Sequence, residues 1–198
     1  MEPTLDQLIA THFPEKEGAI RAYADFLKRV GIERGLIGPR EGDRIWERHI
    51  LNSLFVCQLL PQGASLFDIG SGAGLPGIVI ALSRPDLKVT LIEPLERRVE
   101  FLKEATAGTE IQVIRGRAQD VKKSADYVTA RAVAALDKLK KMSWHMLKMN
   151  GSLLAMKGES AAKEMEAVPG SILHEITLEG IGLGRVVELK KLPKVPAQ

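Results

Sequence analysis

The sequence predicts an α/β protein, a mostly parallel β-sheet covered by helices and preceded by a helical extension. Three observations carry this. From Ser65 onward, short apolar runs alternate with helical segments, the pattern of βαβ units. Before that point, apolar residues recur at three- and four-residue steps, as they do on one face of a helix. Between the two regimes lies LFDIGSGAGLPGIVIAL, Leu66 to Leu82. There four glycines, Gly70, Gly72, Gly74 and Gly77, fall within eight residues, after an apolar run that ends in Asp68.

Along the chain, Ile20, Tyr23, Ala24, Leu27 and Val30 share one helical face, and Gly31 and Gly35 interrupt that helix. GLIGPREG reads as a loop. A second helix is expected from Ile45 to Leu60 and stops ahead of Pro61, because the residue before a proline is pushed toward extended backbone. Residues 1–60 are thus expected as an extension, and 61–198 as one compact domain. Expected strands are Leu66–Ile69, Val89–Ile92, Ile111–Ile114, Tyr127–Ala130, Leu153–Met156, Leu173–Leu178 and Val186–Leu189. Expected helices are Pro76–Ser83, Arg97–Ala107, Asp137–Met146 and Ala161–Ala167. Right-handed crossovers place such helices on both faces of the sheet. The closing LPKVPAQ reads as frayed.

Bulk composition narrows the class. The chain has 198 residues, 45% apolar and 27% charged, which suits a globular domain and not a disordered one. No apolar run approaches the ~20 residues of a membrane span. The opening MEPTLDQLIATHF lacks a basic segment followed by an apolar one, so it does not read as a secretory signal. Cys57 is the single cysteine and has no partner for an internal disulfide, so a cytoplasmic location is expected. The net charge is +3, and the basic surplus lies in residues 121–198, which suits a polyanionic partner or a solvated lysine surface.

The glycine corner sits where open α/β sheets bind ligands, at the carboxyl end of a strand that feeds a helix. Glycines let a ligand lie against bare main chain. A P-loop is excluded, since Ile78 and Val79, rather than Lys and Ser/Thr, follow Gly77. Gly72-Ala-Gly74-Leu-Pro-Gly77 satisfies the dinucleotide pattern G-x-G-x-x-G, and Glu93 stands where an acid grips a ribose, so an NAD-dependent oxidoreductase stays open. S-adenosylmethionine fits better. Asp68, two residues before the first glycine, accepts from an ammonium but repels a pyrophosphate.

The joined set FDIGSGAGLPG, Glu93-Pro94, ERRVEFL, RGRAQD, DYVTARAVAALDKL and LLAMKG, with WERHILNSL upstream, resembles the bacterial 16S rRNA guanine-N7 methyltransferases, the RsmG or glucose-inhibited division protein B family. The resemblance implies a Rossmann-like class I methyltransferase with a seven-stranded sheet. It implies methyl transfer from S-adenosylmethionine to N7 of the guanosine at position 527, in the 530 loop of 16S rRNA. The partner is then 16S rRNA or the small ribosomal subunit, with no membrane and no metal, and the chain is taken as a monomer. It also assigns the site. Gly70, Gly72, Gly74, Leu75 and Gly77 cradle the cofactor with Asp68 behind them. Glu93 takes the ribose hydroxyls, Ala118 and Gln119 meet adenine, and Arg131 sits near cofactor and target as the catalytic candidate. The chain departs from the family pattern at Gly35–Ile37, Gly38-Pro39-Arg40 and Asn52.

Guanine N7 already carries a lone pair at neutral pH, so no base need remove a proton, and alignment is the main demand on the protein. Cys57 lies in a predicted helix, far from the glycine corner, and is assigned to the core instead of to nucleophilic catalysis. The turn after the fourth strand reads Thr129-Ala130-Arg131 and lacks the Asn/Asp-Pro-Pro-Tyr/Phe of amino-directed enzymes. Asp126 falls before that strand, about 10 Å below the active edge at ~3.3 Å per residue. Lys157 keeps a 2′-O-ribose methyltransferase, or another rRNA methyltransferase, as an alternative. A non-catalytic ribosome-binding module is a third reading. His12, His49, His145 and His174 have no metal-ligand spacing. Expected RNA contacts are His49, Arg97, Arg98, Arg117 and Lys157, weighed against ordinary surface or core roles. Tyr23 and Trp46 read as core aromatics, and Lys138, Lys140 and Lys141 as an RNA-facing rim or a solvated helix face.

Overall fold

A computed structural model describes residues 2–193. Residues 194–198 of the segment expected to fray lie outside the described residues. The chain opens with α1 (Leu5–His12) and α2 (Glu17–Phe26). Thr4 caps α1 reciprocally with Gln7, so two otherwise free N–H groups of the first turn are satisfied. α2 buries Ile20, Tyr23 and Ala24, the face read from the sequence, and continues as a π-helical turn, Leu27–Gly31.

Two segments differ from expectation. Part of the predicted loop GLIGPREG winds into a 3₁₀ helix, Pro39–Arg44, whose proline is pre-set for a helical start. The single helix expected from Ile45 to Leu60 is instead a π-helical stretch, Ile45–Ile50, followed by a 3₁₀ stretch, Leu51–Leu59. The second stretch buries Leu51, Ser53, Leu54, Phe55, Val56 and Cys57, so tertiary packing on several sides overrides the regular period.

The sheet follows: β1 (Ser65–Ile69), β2 (Lys88–Glu93), β3 (Gln112–Arg115), β4 (Ala125–Arg131), β5 (Leu147–Lys157), β6 (Ile172–Leu178) and β7 (Gly182–Lys190). Its order is β3-β2-β1-β4-β5-β7-β6. The pairs among β1 to β5 are parallel, and β7 runs antiparallel to both β5 and β6. The connecting helices are α3 (Gly77–Ser83), α4 (Glu96–Ala105), α5 (Leu136–Ser143) and α6 (Ala161–Glu166). Strand order reverses between β1 and β4, where the crevice of an open α/β sheet lies.

One apolar cluster spans extension and sheet, from Ile9, Phe13, Ile20 and Leu54 to Leu66, Ile80, Phe101 and Val186. A second fills the other face around Val128, Leu136, Leu153 and Val187. The Phe26 and Phe101 rings stack with centroids 4.8 Å apart. Arg34 forks onto Glu104 of α4 at 2.8 and 2.9 Å. A cleft of about 840 Å³ lies between Lys16, Leu82, Lys88 and Gln112, at the amino ends of β2 and β3 and away from the glycine corner. Among the described residues no helix is long and apolar enough to cross a membrane.

Candidate functional site

β1 delivers Asp68 to the carboxyl edge, and the chain then turns through Gly70, Gly72 and Gly74 at φ of 64°, 57° and 93°. Only glycine adopts these angles without strain. A Cβ on Gly74 would strike Ile78, and one on Gly77 would strike Leu91 and stand 2.6 Å from Asp68 Oδ2. These two glycines therefore serve close packing of strand against helix. Gly72 differs, because a Cβ there meets nothing nearer than Gly70 O at 3.8 Å. Its bare backbone borders open space.

The loop is pinned to β2. Gly70 and Ser71 donate backbone N–H groups to Ile92 O, and the Ser71 hydroxyl donates to Asp68 O while accepting from Ile92 N. Glu93, 1% exposed at the end of β2, accepts from Gly72 N at 2.9 Å and from Leu95 N at 3.0 Å. Arg98 Nη1 stands 3.8 Å from the same carboxylate, so an acid of α4's approach already faces this cation of its first turns.

Asp68 is 1% exposed. Its Oδ2 accepts from Gly77 N at 3.0 Å, whereas Oδ1 is buried without a hydrogen-bond partner among the described residues. Burial pushes the carboxyl up to about 7, against the pull of the Gly77 N–H and the Ser71 hydroxyl. A buried acceptor without a donor costs about 1–3 kcal/mol. A ligand with an ammonium group would remove that deficit. The orphaned oxygen and the open backbone at Gly72 together fit the amino-acid end of S-adenosylmethionine.

β4 ends in Arg131, across the switch point from Asp68. Its Nη1 donates to Arg48 O at 3.3 Å and its Nη2 to His49 Nδ1 at 3.0 Å. Both acceptors belong to the last residues of the π-helical stretch Ile45–Ile50. Ala132 follows at φ 56°, and Val133 packs onto Gly70, its Cγ2 2.8 Å from where a Cβ would stand. Tyr23 reaches over from α2 and donates its hydroxyl to Ala73 O at 2.8 Å.

The other expected residues distribute as follows. Leu75 is buried in the first apolar cluster, behind the glycine turn. Ala118 is buried and Gln119 exposed on the 3₁₀ turn Ala118–Asp120 after β3. Arg97 and Arg117 are exposed. His49 turns toward Arg131 and Glu41. Lys157, 11% exposed, directs its ammonium inward to Ala134 O at 2.8 Å and Glu164 at 2.7 Å. Asp126 lies within the first residues of β4 and is held by Ser65 and Lys148 at 3.0 Å, far from the carboxyl edge. Cys57 is buried in the core, and burial pushes its thiol up to about 12. Among the described residues no three His, Cys, Asp or Glu side chains converge as a metal site.

Sequence reasoning missed the hydroxyl role of Tyr23, the position of Glu41, the Ser71 staple and the exposed Leu95 beside Glu93. Only Ser71 had a signal, as a hydroxyl set between glycines. Glu41 and His49 are separated by 3₁₀ and π turns, which no regular period relates.

A mostly parallel sheet with this order, a glycine turn after β1 and acids at or near the ends of β1 and β2 define a Rossmann-like class I methyltransferase. The crystal structure of a methyltransferase from Pyrococcus furiosus shares the architecture, with a TM-score of 0.58 at 14% identity over 72% of this chain and 83% of that one. The chain belongs to the family described as rRNA small subunit methyltransferase G (GidB), matched over residues 16–179. Ribosomal RNA small subunit methyltransferase G of Mycobacterium marinum is 46% identical over 94% of this chain and 82% of its own length. The protein of the same name from Mycolicibacterium gilvum is 54% identical over 85% of this chain and 75% of its own.

Proposed function

We propose that this chain transfers a methyl group from S-adenosylmethionine to N7 of the 530-loop guanosine in 16S rRNA, acting as a cytoplasmic monomer on small-subunit RNA. The observation that carries the reading is the unpartnered Asp68 Oδ1 beside the open backbone of Gly72. When bound, S-adenosylmethionine supplies a methyl carbon on a positively charged sulfur. Asp68 accepts from its ammonium. Glu93 has spare lone pairs for ribose hydroxyls beyond its two backbone donors. Leu95, 45% exposed and two residues after Glu93, offers an apolar face for adenine, and Ala118 and Gln119 are assigned to the same base.

Arg131 keeps three N–H donors beyond the two it gives to Arg48 and His49. They suit guanine O6 or a phosphate and leave N7 free for attack. Aligning nitrogen, carbon and sulfur in this way is worth as much as ~7–11 kcal/mol in favourable cases. The test is to map modified nucleotides in 16S rRNA from cells with and without the gene. N7 methylation of that guanosine disappears on deletion and returns with the chain. Its persistence overturns the reading, and loss of a ribose 2′-O-methyl group in its place supports the alternative.

A further inference from the structure

Around Arg131 lies a set of groups that cofactor binding does not use. Arg131 Nη2 meets His49 Nδ1 at 3.0 Å. A guanidinium only donates, so Nδ1 is the acceptor and bears no proton. The ring's proton is therefore on Nε2, which donates to Glu41 Oε2 at 2.9 Å. The other Glu41 oxygen accepts from Arg48 Nη1 at 3.0 Å, and the Arg48 carbonyl accepts from Arg131 Nη1. A closed ring of contacts thus ties the extension to the end of β4. His49 is 15% exposed and Glu41 27%, and both imidazole nitrogens are engaged, which leaves no free ring atom for a phosphate.

We propose that His49, oriented by Glu41, is a positioning residue: a neutral imidazole that aims Arg131 at the incoming guanosine and releases it on taking up a second proton. The proposal rests on the methyltransferase reading and deepens it. Protonation would set an N–H and a positive charge against a guanidinium, removing the acceptor and repelling the group it held. The charged groups facing His49 are Glu41 and Arg48 of the extension and Arg131 of β4. Arg131 in turn faces Tyr23 of α2 and Asp68 of β1. Burial and the Arg131 charge hold the imidazole below its ordinary value, against the pull of Glu41.

The test measures methyl transfer to purified small subunits lacking the modification, from pH 5.5 to 8.5. Saturating S-adenosylmethionine keeps Asp68 titration out of kcat. Wild-type kcat falls on the acid side. His49→Leu lowers kcat at pH 8 by about tenfold to 100-fold, with little change in the KM for either substrate. His49→Asn, whose oxygen reaches the place of Nδ1 and does not titrate, recovers much of that loss and shows no acid limb. Glu41→Ala, a second variant should His49→Leu fail to fold, lowers kcat and moves the limb to lower pH. An acid limb that persists in His49→Asn overturns the proposal. So does a His49→Leu enzyme with intact kcat and weakened RNA binding, which would make His49 a phosphate contact. Wild-type protein that binds cofactor yet leaves the particles unmethylated overturns the functional reading and this proposal with it.

Discussion

In the proposed function, Asp68 is the residue that couples fold to ligand. Its carboxyl is raised from 3.8 to about 7 by burial. Between those values the folded protein holds a proton that the unfolded chain has released, so stability of the free protein falls as pH rises through that window. An ammonium on Oδ1 favours the carboxylate and reverses the preference, so binding expels the proton. S-adenosylmethionine affinity is expected to tighten from pH 6 to 7 by up to about tenfold and to level off above. Calorimetry in buffers of different ionisation enthalpy reads the released proton. In Asp68→Asn, which keeps an acceptor for Gly77 N–H, affinity drops and the proton release vanishes. Wild-type affinity that is flat with pH sinks this account. That an acid belongs at this position was legible from its place before the glycines; that its carboxyl is lifted to about 7 was not, because burial is a property of the packed chain.

At the scale of elements, the loop after β4 and the glycine turn after β1 support each other through Val133 and Gly70. The loop is anchored from β5 and α6, since Lys157 holds Ala134 O and pairs with Glu164, which also accepts from Leu136 N. Left-handed Ala132 costs about 1–2 kcal/mol and persists because these anchors hold it. Lys157→Ala is expected to destabilise the protein by about 2 kcal/mol, the scale of a charge-assisted hydrogen bond. It should also raise the KM for S-adenosylmethionine while the salt dependence of RNA binding stays as in wild type. A salt slope reduced by about one charge instead returns Lys157 to the RNA contacts expected from sequence. Sequence placed Lys157 correctly, at the carboxyl end of β5. Its partner Glu164 came into reach only when α6 docked.

The whole molecule has an apolar interior continuous between the first sixty residues and the sheet. Phe55 lies against Gly184 of β7, Tyr23 holds the glycine turn, and Arg84 donates to Cys57 O and Leu60 O. A fragment starting at residue 61 would expose the face of Phe101 on which Phe26 stacks and the surface of β7 against which Phe55 lies. It is expected to lose cooperative thermal unfolding and to bind a hydrophobic dye, the behaviour of a loosely packed state. A fragment that unfolds sharply and binds S-adenosylmethionine would show the sheet to be independent of the extension.

Periodicity and glycine spacing by themselves determined the alternation of strands and helices, the glycine corner at the carboxyl edge of the sheet and the acids that flank it. These are local properties, set by backbone freedom and by which face of each segment is apolar. The tertiary structure decided the rest: the π and 3₁₀ turns of residues 45–59, the inward ammonium of Lys157, the Tyr23 bond to Ala73 and the ring joining Glu41, His49 and Arg131. Each of these depends on donors and acceptors distant in sequence meeting in a dry interior, where an unmade hydrogen bond is costly and geometry outweighs local preference.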